Sequence, residues 1–73
     1  MIDIQKGDHI RILPNLKEEL IKLTFDPAEA KAFAARFVGT TQTAHQVWVD
    51  DGVQTYVTVD LCCEVPIQCC ELA

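Results

Sequence analysis

The chain opens on a period-two pattern. In IQKGDHIRIL, Ile10 and Ile12 alternate with His9 and Arg11, so a strand is expected over Ile4–Leu13, entered through a Lys6-Gly7-Asp8 turn. Pro14 ends it, because proline has no N–H to give to a ladder. The period then becomes helical. In NLKEELIKL, Leu16, Leu20 and Leu23 share a face, Asn15 is placed to cap, and Glu18 is placed to pair with Lys22. FDPAEAKAFAARFVG repeats the helical signal more strongly. Asp26 caps, Pro27 takes the first helical position, Glu29 completes a capping box, and Gly39 ends the helix in a left-handed conformation. Ala30, Phe33, Ala34 and Phe37 make its apolar stripe, which is expected to be ordinary core.

Beyond Gly39 the pattern is strand-like. TTQTAHQVWV and VQTYVTVDL are rich in β-branched and aromatic residues and flank Asp50-Asp51-Gly52. A two-residue Asp51-Gly52 loop would set Val49 opposite Gln54 and Val47 opposite Tyr56. A three-residue loop sets Val49 opposite Val53, Val47 opposite Thr55 and His45 opposite Val57. The second register gathers the valines on one face, with Gly52 where φ must be positive, and is the one expected. The other face then carries Gln42, Gln46, Trp48, Gln54, Tyr56, Thr58 and Asp60. A final segment returns through Pro66.

These elements predict a single α+β domain over residues 1–73: a strongly bent antiparallel sheet with a two-helix insertion at about 15–39, between the first and second strands. The opening KGDHIRIL and the closing YVTVDLCCEVPIQCCEL resemble small SH3-like β-barrels, which often begin with a GDxVRI strand and end with a VPxxxLEL-like turn and strand. Photosystem I subunit IV, the type II dihydrofolate reductases and the nitrile hydratase β-chain contain barrels of this style. The likeness covers Ile4–Leu13 and Val53–Leu72, and it implies a fold rather than an activity. Two helices stand where such barrels carry a long loop, and five strands would need a break within Thr40–Val49. The type II reductases use a VQIY strand motif; the nearest string here, VPIQC, does not reproduce it, so no residue role carries over.

Composition narrows the function classes. At 73 residues, a net charge of −5 from 6 basic and 11 acidic side chains argues against a general phosphate-backbone binder. No apolar run is long enough to cross a bilayer, and MIDIQKGD lacks a signal-peptide pattern, so a cytoplasmic protein with reduced thiols is expected. A domain this small has a core worth only a few kcal/mol net, roughly 3–5, which favours a staple such as self-association.

All 4 cysteines fall in the last dozen residues, as Cys62-Cys63 and Cys69-Cys70. Adjacent residues on a strand face opposite ways, so these pairs are poorly shaped for one zinc ion. A hairpin centred near Pro66 would oppose Cys63 to Cys69 and Cys62 to Cys70, making cross-strand disulfides geometrically conceivable. The leading expectation is small buried thiols, with Cys62 and Cys69 facing outward; metal and redox roles are the alternatives. The chain has no serine, His9 and His45 have no partner at a motif spacing, and Asp50 and Asp51 are explained as turn residues. No catalytic set and no cofactor is therefore expected. Trp48 and Tyr56, flanked by Gln46 and Gln54, form an aromatic and amide spot of the kind found on recognition surfaces, unless the helices cover it. The leading function is a non-catalytic protein-interaction or self-assembly module, docking through that face or through an exposed Ile4–Leu13 edge. A small oligomeric enzyme and a thiol- or metal-handling protein are the alternatives.

Overall fold

The computed structural model describes residues 3–60 and 63–73. The order is β1 (His9–Ile12), α1 (Leu16–Lys22), α2 (Pro27–Phe37), β2 (Thr41–Thr43), β3 (Gln46–Asp50), β4 (Val53–Val59), β5 (Cys63–Pro66), a 3-10 turn (Ile67–Cys69) and β6 (Cys70–Leu72). The protein is therefore mixed α+β, with the two helices between the first two strands. Among the described residues the strands form two antiparallel three-stranded sheets, ordered β2-β1-β6 and β3-β4-β5, and the ladders do not join them into one closed barrel. No helix among the described residues is long and apolar enough to cross a membrane.

The alternation read in HIRI holds. Ile10 and Ile12 are buried, while His9 and Arg11 are exposed. β1 is shorter than the expected Ile4–Leu13 and is the central strand of its sheet, paired with β2 on one side and β6 on the other. The expected free edge at Ile4–Leu13 is thus filled, and docking there is ruled out for the His9–Ile12 ladder. Arg11 and Glu71 face each other across β1–β6 and pair at 3.2 Å on the surface.

The chain crosses from one sheet to the other at Ala44-His45. The Ala44 N–H donates to the Asp8 carbonyl at 2.8 Å, on the β1 side, and the His45 N–H donates to the Thr58 carbonyl at 2.9 Å, on the β4 side. This is the break within Thr40–Val49 that a five-stranded reading required. Ala44 is completely buried at the corner, where a larger side chain would collide with the core.

The core joins both sheets and both helices. Ile4, Ile10, Ile12, Val57, Val59 and Val65 meet Leu16 and Leu20 of α1 and Ala30 and Phe37 of α2. Phe33 and Ala34 are partly buried against it, so the expected α2 stripe is formed. Phe33 and Phe37 pack with ring centroids 4.8 Å apart. Arg36 lies over the Phe37 ring and pairs with Asp60 at 2.9 Å, fastening α2 to the end of β4.

The helix ends follow the sequence unevenly. Asp26 Oδ2 accepts from the Ala28 and Glu29 N–H groups at 3.0 and 3.2 Å, and Gly39 has φ 82°. Asn15, expected to cap α1, makes no side-chain cap bond; its Nδ2 donates instead to the Gln68 carbonyl at 3.3 Å. That bond ties the start of α1 to the 3-10 turn, a partner 53 residues away that no local pattern announces. Lys22 pairs with Glu19 at 3.2 Å rather than with Glu18. Leu23, expected on the buried stripe, is at the end of α1 and 38% exposed.

α1 ends on Thr24 with φ 70°, followed by a Phe25 N–H to Leu20 carbonyl bond of 3.1 Å. This is the Schellman closure, in which the left-handed position is normally glycine. A β-branched residue there is strained. Thr24→Gly is expected to stabilise the domain by about 0.5 to 1 kcal/mol, the relief of a left-handed side chain less the extra chain entropy of glycine. A denaturant midpoint that stays put or falls would show that no strain is held there.

Candidate functional site

The β3–β4 hairpin turns through Asp51 and Gly52, both with positive φ (51° and 77°). Positive φ at both central residues is the requirement of a type I′ turn, whose twist suits the flanking strands. The pairs nearest the turn are Asp50 with Val53 and Val49 with Gln54; farther on come Trp48 with Tyr56, Val47 with Val57 and Gln46 with Thr58. The expected three-residue loop, and with it the pairs Val49–Val53, Val47–Thr55 and His45–Val57, is incorrect. Neither continuous register satisfies both the tight turn and inward valines. A bulge between Trp48 and Val49 reconciles them by giving Thr55 no partner of its own. Thr55 Oγ1 donates to the Trp48 carbonyl at 3.3 Å, and beyond the bulge Val57 is buried with Val47 half-buried against the core. His45 is exposed at the corner rather than placed against Val57.

The same register puts Trp48 and Tyr56 directly opposite each other rather than diagonally. Directly opposed residues of an antiparallel pair share a face, so Gln46 and Thr58 flank them on the outside of the sheet. Trp48 Nε1 donates to Thr58 Oγ1 at 2.8 Å, which fixes the indole across the strand. The ring is still 43% exposed, and the helices do not cover this face. They pack instead against each other, and α1 also packs against β5.

Gln54 does not join that surface as expected. Its Oε1 accepts from the Ile4 N–H at 3.1 Å, and its Nε2 donates to the Ile4 carbonyl at 2.7 Å and to Asp3 Oδ1 at 3.1 Å. One amide side chain thus takes both backbone groups of Ile4, as a neighbouring strand would, and Ile4 is seated in the core. No sequence signal marked this role, because the partners are 50 residues apart.

Beside Tyr56 lies a cleft of about 240 Å³, bounded by Gln54 and Tyr56 of β4, by Pro66, Ile67 and Gln68, and by Leu23 from the end of α1. Its walls are mostly apolar with an amide rim. The sequence gives no sign that Leu23 and Ile67 meet at a cleft, with Pro66 buried beneath it. Tyr56 pairs with Pro66 in the adjoining ladder, so the row Trp48–Tyr56–Pro66 crosses the sheet to the cleft.

The cysteines are placed otherwise than expected. β5 pairs with β4 and β6 pairs with β1, so no hairpin joins them and Cys63 does not oppose Cys69. The 3-10 turn between β5 and β6 breaks the period of two. Cys69 and Cys70 are therefore both buried free thiols, and the expected outward position of Cys69 is incorrect. Cys63 is half-buried against the core, and the assignments made for Leu61 and Cys62 lie outside the described residues. Burial pushes the Cys69 thiol up to about 12, helped by the negative charges of Glu19 and Glu18. Burial, then the neighbouring Cys69, pushes Cys70 up to about 12 as well. The Cys70 thiol also donates to the Pro66 carbonyl oxygen at 3.6 Å. Thiols held in the protonated form are poor nucleophiles and poor metal ligands. His9 lies on the surface 3.5 Å from Thr43 Oγ1, and among the described residues no group of three or more His, Cys, Asp or Glu side chains is arranged to hold a metal ion.

Comparison with known proteins returns no matching family model, no similar curated protein and no similar solved structure.

Proposed function

We propose that this chain is a non-catalytic protein-interaction or self-assembly module on an SH3-like scaffold, docking through the outer face of the β3–β4 hairpin. The observation that carries the reading is Trp48. A large aromatic side chain is fixed by a bond to Thr58, is left 43% exposed, and sits opposite Tyr56, which borders an apolar cleft. Rigid aromatics flanked by polar groups supply contact area at low entropic cost and are enriched where proteins bind each other. The scaffold part rests on connectivity. β2 and β3 behave as one long strand broken at Ala44-His45, each half belonging to a different sheet, and a 3-10 turn precedes the last strand, which returns to pair with the first.

The test is the Trp48→Ala, Tyr56→Ala double variant. Both side chains leave the outside of the sheet, so the fold is expected to survive, as circular dichroism and a melting curve would show. Self-association by light scattering, or capture of a partner from the native cell, is expected to fall at least tenfold, about the effect of losing one hot-spot residue. Association that persists unchanged in a folded double variant removes this face from the proposal. Light scattering of the native chain at high concentration separates self-assembly from partner capture.

A further inference from the structure

The cleft beside Tyr56 does not end at Leu23. Leu23 also borders a second depression of about 230 Å³ with Phe25, Asp26 and Glu29. Phe25 and Glu29 in turn border a third, of about 140 Å³, whose other walls are Leu20, Phe33 and Glu64. The shared residues place these depressions side by side, an interrupted groove from β4 past the end of α1 to the notch between α1, α2 and β5. Its apolar content is substantial and unpartnered: Phe25 is 48% exposed and Leu23 38%.

Its charge is one-sided. Asp26, Glu29 and Glu64 line it, and no lysine, arginine or histidine does. The ion pairs among the described residues join Arg11 to Glu71, Lys22 to Glu19 and Arg36 to Asp60, so none neutralises the groove. Carboxylates beside apolar walls are less screened than carboxylates in open water, and a cleft of one sign concentrates the opposite charge.

We propose that this groove is a docking channel for an extended segment of a partner protein that alternates apolar and basic residues. An apolar side chain fills the Phe25–Phe33 notch, and a lysine or arginine lies against Glu29 and Glu64. A second copy of this chain fits less well, because each copy carries a net charge of −5 and half of its 6 basic side chains are already paired. The inference rests on the chain being a binding module; Tyr56 borders both surfaces, but Trp48 borders none of the three depressions, so Trp48→Ala alone lets the two fail separately.

The experiment is fluorescence anisotropy with a labelled peptide alternating leucine and arginine, and with a leucine–glutamate counterpart. The basic peptide is expected to bind and the acidic one not. Glu29→Gln with Glu64→Gln is expected to weaken binding about tenfold, the effect of two partly screened ion pairs. Asp50→Asn with Asp51→Asn removes the same charge at the hairpin turn and is expected to change nothing. Glu64→Gln alone, on an exposed strand position, keeps the test valid if the α2 variant melts early. Equal weakening by the hairpin-turn variant would show general attraction to an acidic protein and overturn the proposal. Dimerisation that increases in the Glu29→Gln, Glu64→Gln variant, with no peptide binding by the native chain, would assign the groove to a second copy and overturn it too. Peptide binding that survives Trp48→Ala supports the groove whatever that variant does to self-association, and binding lost in Trp48→Ala overturns it.

Discussion

Raising the pH above about 9 is expected to destabilise this domain steeply. Cys69 and Cys70 start from an ordinary value of 9.0 and are each pushed up to about 12 in the fold. Below pH 9 both thiols are protonated in the folded and unfolded chains alike, and their contribution to stability is fully present. Between 9 and 12 the unfolded chain releases protons that the folded chain retains. The folded state then binds more protons, so stability falls with rising pH. Each thiol costs on the order of 1 kcal/mol per pH unit across that window. A domain of this size has only about 3–5 kcal/mol to lose, so it is expected to unfold before pH 12. The comparison that decides is with Cys69→Ala, Cys70→Ala. That variant is expected to be less stable at pH 7, through the two small cavities it leaves, yet flatter between pH 9 and 11 in urea midpoints. Parallel pH profiles for the two proteins would mean that the thiols are not the source of the alkaline loss.

The second large effect is expected at Gln54. Gln54→Ala removes the donor and the acceptor that hold the Ile4 backbone, at a residue only 1% exposed. Two lost hydrogen bonds, with the Ile4 groups left to find water from a buried position, are expected to cost about 2–4 kcal/mol. That corresponds to a fall in melting temperature of about 10–20 °C for a domain of this length. Gln54→Glu separates geometry from bulk. It keeps the shape but turns the Nε2 donor into an acceptor facing the Ile4 carbonyl and Asp3 Oδ1. It is expected to be nearly as damaging as alanine. A glutamate variant as stable as the native protein would show that the amide clip contributes little.

Both effects come from contacts that the sequence did not display, whereas the elements themselves were plain in it. The α2 start was legible because Asp26 and Pro27 act on atoms within one turn. The strand over His9–Ile12 was legible because alternation is a local pattern, and the position of the helices between the first two strands follows from chain order. The Trp48–Tyr56 face was legible in part, since the three-residue register put those two residues together on the side away from the valines, though diagonally rather than opposite each other. Gln54 was misread because a glutamine beside exposed aromatics looks the same in sequence whether it faces water or clips a distant backbone. Asn15 was misread for the same reason: Gln68 is the partner that wins its side chain.

By itself the sequence determined what short-range physics fixes: strand and helix periods, the cap of α2 at Asp26, the left-handed positions at Gly39 and Gly52, and a net negative charge. Only the tertiary structure decided the bulge at Thr55, the burial of both Cys69 and Cys70, the enclosure of β1 and the groove from Tyr56 to Glu64. Each of these depends on which segments meet across the chain. A strand pattern is unchanged by a one-residue bulge, by a 3-10 turn after Pro66 or by a neighbour on its second edge. Their consequences appear only when both sheets and both helices close on one core.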